Sequence, residues 1–138
     1  MVNKPGEVGR ILFFVEDEVD IVELYKIAFE SEGFSINSFG TGTEAMAELK
    51  KYSEIGDGKP EAMILDILLP DNISGIDIMH EVRKNPIFKE VPIIMFTNFS
   101  SDKIREEIAR TPNTKYLLKV NTTPTQLVAI VKEMLGIK

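Results

Sequence analysis

The 138-residue sequence predicts an α/β fold, a (βα)5 doubly wound five-stranded parallel sheet clothed by helices on both faces as a three-layer sandwich. Three observations predict it. Strand-like apolar runs alternate five times with stretches whose apolar residues recur at helical spacing, the order that builds parallel strands and crossover helices. The first strand run is continuously apolar, as expected where a strand is covered on both faces. Each crossover is expected to be right-handed, which places helices on both sides of one central sheet.

Residues 1–9 read as a polar lead-in and residues 10–138 as a single domain. Ile11-Leu12-Phe13-Phe14-Val15 is the first strand. From Val19 the period changes, and Ile21, Leu24, Tyr25, Ala28 and Phe29 fall on one helical face before a glycine stop at Gly33. Phe34–Phe39 alternates as the second strand. Thr41-Gly42-Thr43-Glu44 opens the second helix, which carries Ala45, Met46 and Leu49, and Ser53–Pro60 reads as a loop. Ala62-Met63-Ile64-Leu65 is the third strand. A loop from Leu69 to Gly75 leads to a helix with Ile76, Met79 and Val82 on one face, ended by Asn85-Pro86. The fourth strand, Val91–Phe96, is followed by a polar helix that begins near Ser101-Asp102 and carries Ile104 and Ile108. After Thr111-Pro112-Asn113 comes the strand Tyr116-Leu117-Leu118. Thr123-Pro124-Thr125-Gln126 is a capping box with proline at the first helical position. The last helix therefore starts there, with Leu127, Ile130, Val131 and Met134 on its apolar face.

Composition narrows the function classes. Sixteen basic residues against 22 acidic ones leave a net charge of −6, and no basic cluster marks a nucleic-acid surface. No apolar run approaches the roughly 20 residues of a bilayer span, and Met1–Glu7 lacks an apolar signal core. Cysteine is absent, which removes disulfides and thiolate metal sites and fits a cytoplasmic protein.

The informative residues stand where strands stop. The first strand ends at Glu16-Asp17-Glu18, the third at Asp66, the fourth at Thr97 and the fifth at Lys119. The carboxyl ends of parallel strands share one edge of the sheet, so these groups should meet there. Together they suit a divalent cation, a phosphoryl acceptor and two groups that steady phosphoryl oxygens.

With those residues in place, the chain resembles the receiver domains of two-component response regulators over residues 10–136. The likeness rests on Phe14-Val15-Glu16-Asp17-Glu18, on Leu65-Asp66-Ile67-Leu68-Leu69-Pro70 with Ser74-Gly75, on Met95-Phe96-Thr97 and on Leu118-Lys119. Each motif is weak alone. Asp66 could simply cap a helix, Thr97 end a strand and Lys119 lie in solvent, but all four in order on the right strand ends are specific.

The resemblance implies a flavodoxin-like fold and a stand-alone receiver of the chemotaxis-regulator kind, with no output domain. It implies that Asp66 accepts a phosphoryl group from a sensor histidine kinase or a histidine phosphotransfer protein. Mg2+ would be held by Glu16, Asp17, Asp66 and the Leu68 backbone carbonyl, with Glu16 a tolerated variation of the usual first acid. Thr97 and Lys119 would contact phosphoryl oxygens. A coupled Thr97–Tyr116 rearrangement would reshape the face of the fourth helix, fifth strand and fifth helix to bind an unidentified downstream protein. Tyr116 as an ordinary half-buried strand residue stays open beside this. The same face is where receivers pair, so a homodimer also stays open. The only chemistry implied is the protein's own phosphorylation and slow autodephosphorylation, with no nucleic-acid binding and no membrane insertion.

Three positions depart from the family pattern. Val120 follows Lys119 where a cis-proline is usual, so the loop there is either strained or differently shaped. Asn98 follows Thr97 where a small residue is usual, and its bulk would narrow access to Asp66. The segment Pro70–Gly75 is one residue longer than common. Leu68 and Phe99 are apolar at positions that tune hydrolysis, which implies a long-lived phosphoryl group. The alternative from the interaction class is a degenerate receiver that docks partners without phosphorylation. A haloacid-dehalogenase type phosphatase would need an acid at position 68, where Leu68 stands, and a flavodoxin-like cofactor binder would need a phosphate loop after the first strand.

Overall fold

Side-chain alternation along the strands sorts the apolar residues into two cores, one on each face of the sheet. A computed structural model of the protein describes residues 10–56 and 58–137; the lead-in expected over residues 1–9 lies outside them. The elements run β1 (Arg10–Val15), α1 (Val19–Glu30), β2 (Phe34–Phe39), α2 (Gly42–Ile55), β3 (Ala62–Leu65), α3 (Gly75–Lys84), β4 (Ile93–Thr97), α4 (Asp102–Arg110), β5 (Thr114–Leu118) and α5 (Pro124–Met134), with a 3-10 turn at Lys119–Asn121. All pairings are parallel and the strand order is β2-β1-β3-β4-β5, the expected doubly wound (βα)5 sandwich.

Phe13, Val15, Met63, Leu65, Ile93 and Met95 face α2, α3 and α4, where Leu49, Met79, Val82 and Ile108 close the core. Leu12, Phe14, Ile64, Ile94 and Phe96 face α1 and α5, against Tyr25, Phe29, Leu127 and Val131. The central strands are thus apolar on both faces because both faces are covered. Leu24, expected on the buried face of α1, is 53% exposed. Val22, Tyr25 and Phe29 form the buried stripe, and a residue two positions after Val22 points away from it.

Caps set the helix starts. Ser74 with Asp77 and Thr123 with Gln126 form capping boxes, and Thr41 and Ser101 accept from the backbones of Glu44 and Ile104. β5 begins at Thr114, two residues ahead of the expected Tyr116, and two further boundaries differ for local reasons. α2 continues through Ser53 to Ile55 because Tyr52 is buried and Gly56, at φ 74°, supplies the left-handed cap one turn later. β4 begins at Ile93 because the Val91 N–H closes a turn onto the Phe88 carbonyl and Pro92 has no N–H to give.

Long-range bonds then fix the loops. The Asp71 carboxylate accepts from Gly42 N (3.0 Å), Thr43 N (2.8 Å) and Thr43 Oγ1 (2.6 Å), tying the β3–α3 loop to the start of α2. Arg83 donates to the carbonyls of Pro112 (2.9 Å) and Asn113 (2.8 Å) and to Thr114 Oγ1 (3.1 Å), so α3 holds the chain entering β5.

Candidate functional site

The strand order reverses at β1: β2 lies on one side of it and β3 on the other, which opens a crevice beyond the carboxyl ends of β1 and β3. Glu16 and Asp66 stand on its two lips. Their N–H groups donate to the carbonyls of Phe39 (2.9 Å) and Val15 (3.0 Å), so each is fixed by the sheet itself. Among the described residues the buried polar ones are Glu16, Asp66 and Thr97, at 3%, 7% and 1% exposure. A protein leaves polar groups in such places only when they are partnered or used. Asp17 is exposed, and carboxylate oxygens of Glu16, Asp17 and Asp66 lie within 4.8 Å of one another.

Lys119 crosses from the end of β5 to this cluster. Its Nζ donates to Asp66 Oδ2 at 2.6 Å and pairs with Glu16 Oε1. Burial alone would lower the Lys119 pKa, but hydrogen bonds to Asp66 and Glu16, with their charges, raise it, so the group stays an ammonium. Glu16 is pushed up by burial, which outweighs the hydrogen bonds from Lys119 and from the Glu18 backbone. Glu16 Oε2 accepts from Glu18 N at 3.1 Å, and buried Oε1 faces the Lys119 ammonium. Three ionised carboxylates and one ammonium sum to a formal charge of −2, which a single divalent cation would cancel. A hard-oxygen donor set of three carboxylates within 4.8 Å of one another fits Mg2+.

Thr97 ends β4, and its Oγ1 accepts from Phe99 N at 3.1 Å, so the hydroxyl proton remains for another acceptor. The Phe99 carbonyl in turn accepts from Tyr116 Oη at 2.8 Å, and the Arg105 guanidinium of α4 sits 4.9 Å from the centre of the Tyr116 ring. A cavity of about 560 Å3 opens beside these groups, lined by Asp17, Asp66, Leu68, Thr97, Asn98 and Lys119 among others. Leu68 is 61% exposed at its mouth. Gly75, the first residue of α3, lies against the backbone of Asp66: a Cβ there would meet the Asp66 carbonyl oxygen at 2.1 Å.

The four strand ends expected to meet do meet, since Glu16 and Asp17, Asp66, Thr97 and Lys119 share this crevice. Tyr116 is half-buried and joined to Thr97 through the backbone of Phe99, a link with no signal in the sequence. The open question at Val120 resolves in favour of a different loop shape. The described residues contain no cis peptide bond, and Lys119–Asn121 forms a 3-10 turn from which Lys119 reaches Asp66. Asn98 lines the cavity, and its Oδ1 accepts from Val120 N at 3.0 Å. His80, the only histidine, is exposed and pairs with Glu107 at 2.9 Å, away from the crevice. No helix among the described residues is long and apolar enough to cross a membrane.

Comparison with known proteins agrees with this geometry. The family profile described as "Response regulator receiver domain" matches residues 12–132. The phosphate regulon transcriptional regulatory protein PhoB of Rhizobium meliloti (strain 1021) is 34% identical over 121 residues, covering 88% of this chain and 50% of that protein. The chain thus spans about half the length of that relative. Among solved structures, chemotaxis protein CheY4 of Vibrio cholerae superposes with a TM-score of 0.76 at 21% identity, covering 92% of this chain and 99% of that one. The Mn(2+)-bound form of response regulator Rcp1 gives 0.72 at 22% identity, covering 92% and 90%.

Proposed function

The chain belongs to the response regulator receiver domain family, and we propose that it works as a Mg2+-dependent phosphoacceptor switch with Asp66 as the acceptor. Membership implies a histidine kinase or histidine phosphotransfer protein as phosphodonor. The observation that carries the reading is the buried Asp66 carboxylate, bonded by Lys119 at 2.6 Å within an acidic cluster at the sheet's reversal point.

The residues divide the work as follows. The Asp66 oxygen not bonded to Lys119 attacks phosphorus; an O–P bond forms, the P–N bond of the phosphohistidine breaks, and the imidazole leaves. Lys119 moves its pairing onto a phosphoryl oxygen, and the free Thr97 proton donates to another. Phosphoryl transfer depends mainly on such positioning and charge neutralisation. Glu16, Asp17, Asp66 and the Leu68 carbonyl would hold Mg2+, which neutralises phosphoryl charge when bound.

The switch runs through Phe99. Its N–H bonds Thr97 and its carbonyl receives the Tyr116 hydroxyl, so Thr97 cannot move toward a phosphoryl group without disturbing Tyr116. Tyr116 and Arg105 belong to β5 and α4, and the α4-β5-α5 face is where a downstream protein, or a second copy of the chain, would read the change. Leu68 and Phe99 are apolar and neither can direct a hydrolytic water, which supports slow autodephosphorylation. The protein acts in the cytoplasm, alongside its donor.

The test is intact-protein mass after incubation with acetyl phosphate and Mg2+. One added phosphoryl group is expected, absent in Asp66→Asn and absent with the metal chelated. No adduct on a folded wild type would refute the switch and leave phosphorylation-independent docking as the function.

A further inference from the structure

Asn98 and Val120, each one residue beyond a group of the site, are bonded to each other. Val120 N–H donates to Asn98 Oδ1 at 3.0 Å. Asn98 directly follows Thr97 and Val120 directly follows Lys119, so this bond joins the β4–α4 loop to the turn after β5 beside both groups. The carboxamide's orientation follows from its partner, since a backbone N–H can only meet the oxygen end.

The turn is otherwise tied to itself, to α1 and, through the Lys119 ammonium, to Asp66 and Glu16. Thr122 N donates to the Lys119 carbonyl (3.2 Å), Thr122 Oγ1 to the Leu118 carbonyl (2.9 Å), and Tyr25 Oη to the Thr122 carbonyl (3.3 Å). Among the described residues, no other hydrogen bond of this turn reaches the β4–α4 loop. The Val120 side chain is 72% exposed and Asn98 is exposed as well, so the contact adds little to the core. What it does is hold two loop segments at one distance.

We propose that Asn98 is a positioning residue: its latch onto the Val120 N–H sets the Thr97 hydroxyl and the Lys119 ammonium at a fixed separation across Asp66. This rests on the phosphoacceptor reading, because those two groups are the ones that would grip the phosphoryl oxygens. Misplacement of such groups by about an ångström can slow chemistry by as much as 10²-fold.

The test is the rate of phosphorylation of the full chain across a range of acetyl phosphate concentrations with Mg2+. Asn98→Ala removes the acceptor and Val120→Pro removes the donor. Each should lower the maximal rate about tenfold while half-saturation stays near the wild-type value. Val120→Ala keeps the N–H and should keep the rate. The double variant Asn98→Ala/Val120→Pro should react no more slowly than the slower single, as two halves of one bond require. A wild type that reacts while Asn98→Ala reacts equally fast overturns the latch alone, and so do single effects that multiply in the double variant. A wild type that takes up no phosphoryl group overturns the phosphoacceptor reading, and the latch falls with it.

Discussion

Substituting Gly75 by alanine sets two physical effects against each other, and the structure says which should win. Relief of glycine's backbone entropy favours alanine in a helix by up to about 1 kcal/mol. The added Cβ, however, would stand 2.1 Å from the Asp66 carbonyl oxygen, 2.8 Å from its carbonyl carbon and 3.0 Å from the Ile67 Cα. The shortest approach falls about 1.3 Å short of the 3.4 Å at which ordinary contact begins. Every atom it meets is backbone, so no rotamer change relieves it. The α3 start cannot easily retreat either, being held by the Gly75 N–H to the Ile67 carbonyl (3.0 Å) and by the Ser74–Asp77 capping box. Overpacking of this kind costs about 1–3 kcal/mol, which exceeds the propensity gain. The expected result is a net loss of stability of roughly 1–2 kcal/mol in urea unfolding, read as a lower midpoint at unchanged m. Because the displaced backbone is that of Asp66, phosphorylation by acetyl phosphate should slow by up to about 10²-fold. A variant as stable as the wild type, or more so, that is phosphorylated at the wild-type rate would refute the reasoning.

Further predictions concern charge and loops. The Thr43 hydroxyl first, with the Thr43 and Gly42 N–H groups, lowers the Asp71 pKa below its usual 3.8. Its contribution is therefore present above 3.8 and lost as pH falls through the lower folded value, so Asp71→Asn should weaken the fold at neutral pH and remove that acid-side loss; urea midpoints from neutral pH to below 3.8 would show both. Burial raises the Glu16 pKa above 4.5, so its charged form costs stability above that pH. Glu16→Gln should then stabilise the metal-free protein at neutral pH, with the gain vanishing below 4.5, while calorimetric Mg2+ affinity falls. Asp17→Asn, at an exposed carboxylate, should weaken Mg2+ binding roughly tenfold and shift stability by less than about 0.5 kcal/mol. Arg83→Met deletes the bonds that hold Pro112, Asn113 and Thr114 to α3 and should cost about 2–3 kcal/mol in the same unfolding assay.

What could be read in advance divides along physical lines. Apolar runs such as Phe13–Val15 and Ala62–Leu65 declare themselves because a strand covered on both faces must be apolar throughout. Local caps at Ser74 and Thr123 declare themselves because donor and acceptor are three residues apart. The strand-end groups were legible for a topological reason, since parallel strands bring Glu16, Asp66, Thr97 and Lys119 to one edge whatever the loops do. The contacts that tune the site were not. Asp71 meets Thr43 and Asn98 meets Val120 through loop shapes that no periodicity encodes. The bonds of Arg83 have no sequence signal, and Gly75 reads as a loop glycine until the neighbouring backbone is in place. The end of α2 lies beyond what the sequence signals because Ser53, Glu54 and Ile55 carry no signal stronger than the glycines that follow them.

The central claim is that one carboxylate carries the phosphoryl group, and borohydride trapping tests it most directly. Borohydride reduces an acyl phosphate to the alcohol, converting the modified aspartate to homoserine, which peptide mass spectrometry can place. After acetyl phosphate and Mg2+, homoserine should be found at position 66 and be absent when the metal is chelated. Homoserine at another carboxylate, or none at position 66 in a folded and phosphodonor-treated protein, would contradict the account.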